Sequence, residues 1–148
     1  MKIQVALIAA ATALVVATPA AANEARAEAH GGITWAAGNE EATAGIALGY
    51  DFDLGTSTFA GVEASADKVL QDGANVLFGA SVRGGAKVGA GKLYAIGGFS
   101  FTEHDDAWHL GAGYEHKVGS NLYLKGEYRR YFDVVDVNTA VLGVGVNF

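Results

Sequence analysis

The sequence predicts an all-β chain, closed into an eight-stranded antiparallel barrel that crosses a membrane. Three observations predict it. Segments of about ten residues alternate with the period of two that a strand imposes, from Arg26 to the last residue. The two faces this creates differ in kind: one row is Ala, Val, Leu and Gly with aromatics toward its ends, while the other mixes charges of both signs. Beyond the N-terminus, no apolar run approaches the roughly 20 residues a spanning helix needs, and no helical period is sustained.

The opening residues are of another type. Met1-Lys2 is followed by the apolar stretch Ile3–Ala17 and by Pro19-Ala20-Ala21-Ala22, a small-residue cleavage motif. Residues 1–22 therefore read as a signal peptide for the general secretory route, with residues 23–148 as one barrel domain. Loss of Lys2 with that peptide leaves the remainder one unit more acidic than the full chain's −6. No basic stripe survives, so nucleic acid is not an expected partner. Cysteine is absent, which removes disulfides and thiolate metal sites. The chain has 21 glycines and one proline, and that proline is Pro19. Glycine without proline suits strands that curve and pass closely, whereas flexible linkers carry both.

The strands follow in order. The first is Arg26–Trp35, with Arg26, Glu28, His30 and Thr34 opposite Ala27, Ala29, Ile33 and Trp35; Ala36–Glu41 reads as an acidic loop. The second, Thr43–Phe52, sets Ile46, Leu48, Tyr50 and Phe52 against Thr43, Ala47 and Asp51. The third is Thr58–Ala66, before a polar loop at Asp67–Asn75, and the fourth is Val76–Val88, carrying Ser81, Arg83 and Lys87 on one face. After Gly89-Ala90-Gly91 comes the fifth, Lys92–Thr102, then the acidic loop Glu103–Asp106. The sixth, Trp108–Val118, sets His109, Glu115 and Lys117 against Leu110 and Tyr114. The seventh, Leu122–Tyr131, gathers Tyr123, Lys125, Glu127 and Arg129 on one row, and the eighth, Thr139–Phe148, ends on an aromatic. Connections after the even strands read as short turns and those after the odd strands as longer or more acidic loops, the pattern of outer-membrane barrels.

Which row meets lipid follows from the side chains. The apolar rows are too thin in large residues to fill one soluble core, and their aromatics collect at the two ends. Trp35, Phe99, Phe101, Trp108, Tyr128 and Phe132 fall near the loop end; Tyr50, Phe52 and Phe148 fall near the turn end. They are the expected aromatic girdle. The other row turns inward, where eight strands leave just enough room for side chains. Glu28, His30, Glu63, Arg83, Lys87, Glu115, Lys125, Glu127 and Arg129 are the expected interior charge network, joined by Tyr94 and Tyr123. Acids and bases nearly balance, as buried charges require.

Several stretches resemble small bacterial outer-membrane barrels of the opacity and OmpA-like type, especially those of alphaproteobacteria. They are Leu110–Glu115, Asn121–Arg129 and Val144–Phe148, with weaker likeness at Phe59–Glu63 and Leu93-Tyr94. The resemblance implies that Val144, Val146 and Phe148 form the signal read by the barrel-assembly machinery. It implies a monomer in outer-membrane lipid and leaves the activity open, since the family includes adhesion and envelope-stabilising members.

Enzymatic chemistry finds little support. Gly85–Lys92 lacks phosphate-loop spacing, and His104, Asp105, Asp106 and His109 show no specific ligand pattern, so no metal or cofactor is expected. A lipid A-modifying hydrolase would need a serine within reach of a histidine. The serines Ser57, Ser65, Ser81, Ser100 and Ser120 have no histidine beside them on a strand. His116 reads as an outward, interfacial residue. The expected function is therefore a non-enzymatic structural or surface-interaction barrel that supports envelope integrity. A lipid A-modifying enzyme and a narrow porin are the alternatives.

Overall fold

A computed structural model describes residues 23–133 and 135–148; the expected signal peptide lies outside the described residues. Eight strands run in sequence: β1 (Glu24–Ala36), β2 (Asn39–Asp53), β3 (Thr58–Val69), β4 (Val76–Val88), β5 (Gly91–Phe101), β6 (Asp106–Lys117), β7 (Leu122–Phe132) and β8 (Val137–Asn147). Each pairs antiparallel with its sequence neighbour, and β8 returns to β1 to close the barrel. The closing register runs from Arg26↔Asn147 to Trp35↔Asn138. Beyond it, Ala25 and Phe148 exchange backbone hydrogen bonds of 3.0 and 2.9 Å. Closure satisfies every strand edge, which hydrocarbon surroundings demand.

The faces sort as the alternation requires. Leu124, Val144, Val146, Leu93 and Leu110 are exposed, and Leu142, at the middle of β8, is 76 % exposed. Arg83, Glu115, Lys125 and Glu127 are buried. A water-soluble barrel would show the reverse. The molecule has a greasy exterior and an ionic lumen.

Three expectations about the connections are corrected. Ala36–Glu41 is not an acidic loop: β1 and β2 pair as far as Ala36↔Asn39, and only residues 37–38 turn. Ala37 and Gly38 both take positive φ, 49° and 84°, the two-residue hairpin turn that matches strand twist. Alanine in that position gives no warning. Asp67, read as loop, belongs to β3. Nor do short and long connections alternate, because the two tightest, 37–38 and 89–90, lie at opposite ends of the barrel. The ends are better distinguished by the chain termini. The start of β1 and the end of β8 define a terminal end, which also carries 54–57, 89–90 and 118–121; the loop end carries the rest.

Candidate functional site

The lumen is the candidate site, built in belts along the barrel axis. At the rim of the terminal end, Glu24 accepts hydrogen bonds from Lys92 Nζ (2.6 Å) and Lys117 Nζ (2.5 Å), and Lys87 pairs with Asp53 at 2.6 Å. One step inward, Asp51 is chelated by Arg83 through Nε (3.0 Å) and Nη2 (2.5 Å) and bonded by Lys92 (2.9 Å). Arg83 Nη1 reaches on to Glu115 at 3.0 Å. Phe59, Tyr94 and Ile96 form a small apolar wedge here, and the Arg83 guanidinium lies 4.6 Å from the Tyr94 ring centroid. Such stacking is favourable for a desolvated cation.

The middle belt is the most heavily cross-linked. Glu63 bridges Arg26 Nη1 (2.8 Å) and Arg129 Nη2 (2.5 Å). Glu127 accepts from Arg129 Nε and from Tyr94 Oη (2.5 Å), with Lys125 Nζ 3.3 Å away. Glu28 accepts from Lys125 and from Tyr123 Oη (2.7 Å), and lies 3.1 Å from His30 Nδ1. Each of Glu28, Asp51, Glu63, Glu115 and Glu127 thus has a cationic partner, the condition under which buried carboxylates are tolerated.

Above one last acidic contact the lumen side chains turn neutral, and carboxylates return only at the mouth of the loop end. His30 Nε2 meets Asp67 at 2.6 Å. Above that level stand Ser81, Ser100, His109, Thr34, Thr43, Thr139 and Tyr131. Thr139 donates to Thr34 at 3.1 Å, and Thr34 to the Asn138 carbonyl. A cavity of about 210 Å³ opens at this end, lined in part by Thr34, Thr43, Asp67, Asp105, Asp106 and Tyr131.

One local rule positions five of these pairs. Partners come from strands two apart, and the residue between them on the intervening strand is an inward glycine. Arg26 and Glu63 meet over Gly49, His30 and Asp67 over Gly45, Asp51 and Arg83 over Gly61. Tyr94 and Glu127 meet over Gly113, and Tyr123 and Glu28 over Gly145. A Cβ on Gly113 would collide with the Tyr94 hydroxyl, and one on Gly49 with the Arg26 guanidinium. The inward glycines are there to let long side chains lie across the barrel wall.

Eight of the nine sequence-predicted network residues are brought together: Glu28, His30, Glu63, Arg83, Glu115, Lys125, Glu127 and Arg129. Lys87 stands apart at the rim, partly exposed beside Asp53. Sequence reasoning missed Arg26, Asp51 and Lys92 as network members, although each lies on the same alternating row; Asp67 was hidden by its assignment to a loop. The serine–histidine expectation is also corrected. Ser81 Oγ lies 2.8 Å from His109 Nε2 and Ser100 Oγ 2.9 Å from Nδ1. Ser81 and His109 meet over Gly98, on strands two apart, so no search along one strand could find them. His109 is 3 % exposed, and none of its ring hydrogen bonds goes to a carboxylate. A neutral ring can donate from one nitrogen and accept at the other here, an arrangement that satisfies a buried imidazole.

On the outer face, Phe78, Phe101, Phe99 and Trp108 form a chain of ring contacts with centroids 6.0, 6.5 and 5.1 Å apart, and Trp35 packs 6.2 Å from Tyr128. Phe132 and Phe52 are exposed, but Tyr50, on the same outer row, is only 6 % exposed and packs 4.9 Å from Phe52. Val144, Val146 and Phe148 project outward along the end of β8. Among the described residues, no group of three or more His, Asp or Glu is arranged to hold a metal ion.

A closed eight-stranded barrel with a lipid-facing apolar wall and a lumen packed with ion pairs defines a small outer-membrane barrel protein. Residues 6–148 match the family described as outer membrane protein beta-barrel domain, and the chain belongs to it. No curated protein sequence matches. Among solved structures, the N-terminal barrel domain of Pseudomonas aeruginosa OprF shares 16 % identity at a TM-score of 0.63, covering 86 % of this chain and 98 % of that one. Ail, the attachment invasion locus protein of Yersinia pestis, shares 16 % at 0.62, covering 86 % and 99 %. Neisserial surface protein A shares 14 % at 0.55, covering 85 % and 97 %. At these identities the likeness is one of fold. The protein is an outer-membrane barrel embedded in lipid.

Proposed function

We propose that the protein is a non-enzymatic barrel that supports envelope integrity and presents its loop end as a surface for interaction, its interior plugged by the ion network. The observation that carries this reading is the middle belt. Glu28, Glu63, Lys125, Glu127 and Arg129 span the lumen with paired, buried groups. A plug of this kind serves a wall rather than a passage. The similarity to Ail, named for attachment and invasion, supports a surface role. The loop end of this chain carries Glu40, Glu41, Asp72, Glu103, Asp105 and Asp106, so it would favour a cationic partner. The signal peptide at 1–22 and the Val144, Val146, Phe148 terminus fit secretion followed by insertion through the assembly machinery, as a monomer.

The test is twofold. In planar bilayers the folded protein should give no steady conductance step, and a strain lacking it should become more permeable to detergents, restored by the wild-type gene. Steady unitary steps would replace this reading with a porin. The buried Ser81–His109–Ser100 cluster favours a second, enzymatic reading; altered lipid A on substituting His109, with the barrel still folded, would establish it.

A further inference from the structure

The loop-end cavity departs from the pattern of the rest of the lumen. Below it, each buried carboxylate meets a cation supplied by the chain. Around this cavity of about 210 Å³ stand Asp67, Asp105 and Asp106, yet among the described residues no lysine, arginine or histidine lines it. His30 reaches Asp67 from below. The Asp105 and Asp106 carboxylates take part in no ion pair among the described residues.

Carboxylates at a mouth are ordinarily just solvated. The hydroxyls behind them say more. Thr43 donates its proton to the Lys68 carbonyl, Thr139 to Thr34, and Thr34 to the Asn138 carbonyl, each at 3.1 Å. A hydroxyl has one proton and two lone pairs, so these three present only acceptors to the space between them. The side-chain donors left in the wall are those of Asn75 and Tyr131. Leu77, Ala107 and Val137 add an apolar strip. Thr34, Thr43 and Tyr131 are buried, so this polarity is built into the barrel and not into its rim.

The complement of such a wall is a positive group with several protons and no lone pair, carried on an aliphatic stem. A primary ammonium has three donors and no acceptor, and its methylenes lie well along apolar surface. A bare divalent cation fits worse, since no three His, Asp or Glu side chains of the described residues are arranged to hold one. Size agrees. The cavity falls below the roughly 300–1,000 Å³ of sites for drug-sized ligands.

We propose that the loop-end cavity binds a primary alkylammonium, with acceptors from Asp67, Asp105 and the threonine hydroxyls and its methylenes along Leu77, Ala107 and Val137. This rests on the reading of the loop end as a surface for a cationic partner, and names the part of that partner which enters.

The experiment is a titration of the folded protein in nanodiscs, following the backbone amide resonances of Ala107, Val137 and Thr139. Cadaverine is the probe for a free amine and pentalysine for a lysine side chain; pentanol, a similar stem without the charge, is the control. One or both amines should shift these resonances saturably, and which of them does so tells a free ligand from a peptide-borne one. Ala107→Leu fills the cavity, leaves every charge in place and should abolish the shifts. Asp105→Asn should weaken binding by about tenfold, as loss of one charged contact implies. Unboiled gel mobility shows that each variant is folded. An equal response to pentanol overturns the role of charge, and wild-type affinity in folded Ala107→Leu or Asp105→Asn overturns the cavity as the site. Pentalysine held equally by the wild type and Ala107→Leu would leave the loop surface standing with the cavity excluded from it. Binding of neither amine overturns both.

Discussion

The two ends of the lumen are lined by the same eight strands but filled by different chemistry. From the rim to the middle belt, long side chains (Arg26, Arg83, Lys125, Arg129) cross to carboxylates on other strands. Toward the loop end, Thr34, Thr43 and Thr139 bond to the adjacent strand, Ser81 and Ser100 bond to His109, and a cavity of about 210 Å³ is left. Closure of the barrel is common to both, so the difference lies in side-chain reach. A threonine cannot span a lumen that eight strands enclose, whereas an arginine can. Sealing and much of the specificity of the interior therefore reside in the ionic part. The neutral part is free to vary with whatever the loops meet.

The comparison breaks most sharply at Glu63. Glu63→Leu leaves Arg26 and Arg129 buried with a partner missing, and removing one side of a buried pair costs about 3–5 kcal/mol. Denaturant unfolding of the refolded protein, followed by the mobility shift between unboiled and boiled samples, should show that loss. Steady conductance should appear only when the middle belt is thinned, as in a Glu127→Ala, Arg129→Ala double variant. Thr34→Ala combined with Tyr131→Ala, in the neutral part, should leave bilayer recordings silent.

A smaller effect tests the glycine rule. Tyr94→Phe deletes a hydrogen bond to the Glu127 carboxylate, worth about 1.5–3 kcal/mol for a charged partner. Gly113→Ala places a methyl where the Tyr94 hydroxyl lies and should cost about 1–3 kcal/mol through overpacking. The two changes act on one contact, so the double variant should be less unstable than the sum. Simple additivity in a double-mutant cycle would show that Gly113 is not there for Tyr94.

Much of this was readable from the residues alone. The alternation of Leu122–Tyr131 sets Lys125, Glu127 and Arg129 on one face, and their mixed signs mark that face as inward. The choice of partners was not readable, because it depends on register. Glu63 and Arg129 stand 66 positions apart and meet only once the barrel is closed. The glycines were visible as composition, but their role appears only when Gly49, Gly61, Gly98 and Gly113 are each seen between two facing side chains. The turn at Ala37-Gly38 escaped because alanine rarely takes positive φ. Asp67 escaped because the polar run Gln71-Asp72-Gly73 drew the loop boundary too early.

The smallest expected effect belongs to the neutral part and decides what its histidine is for. Ser81→Ala removes one of the two hydroxyls that satisfy His109, leaving Ser100 on the other ring nitrogen. If the cluster only fills space and hydrogen-bonding capacity, the loss is a single neutral bond, about 0.5–1.5 kcal/mol, with lipid A unchanged. The cost should fall well below that of Glu63→Leu, since no charge is stranded. A nucleophilic serine would reverse that ranking of consequences: stability would hardly move while the lipid A profile changed. Measuring unfolding and lipid A in the same variant therefore separates packing from chemistry at Ser81, because each role spares the quantity the other disturbs.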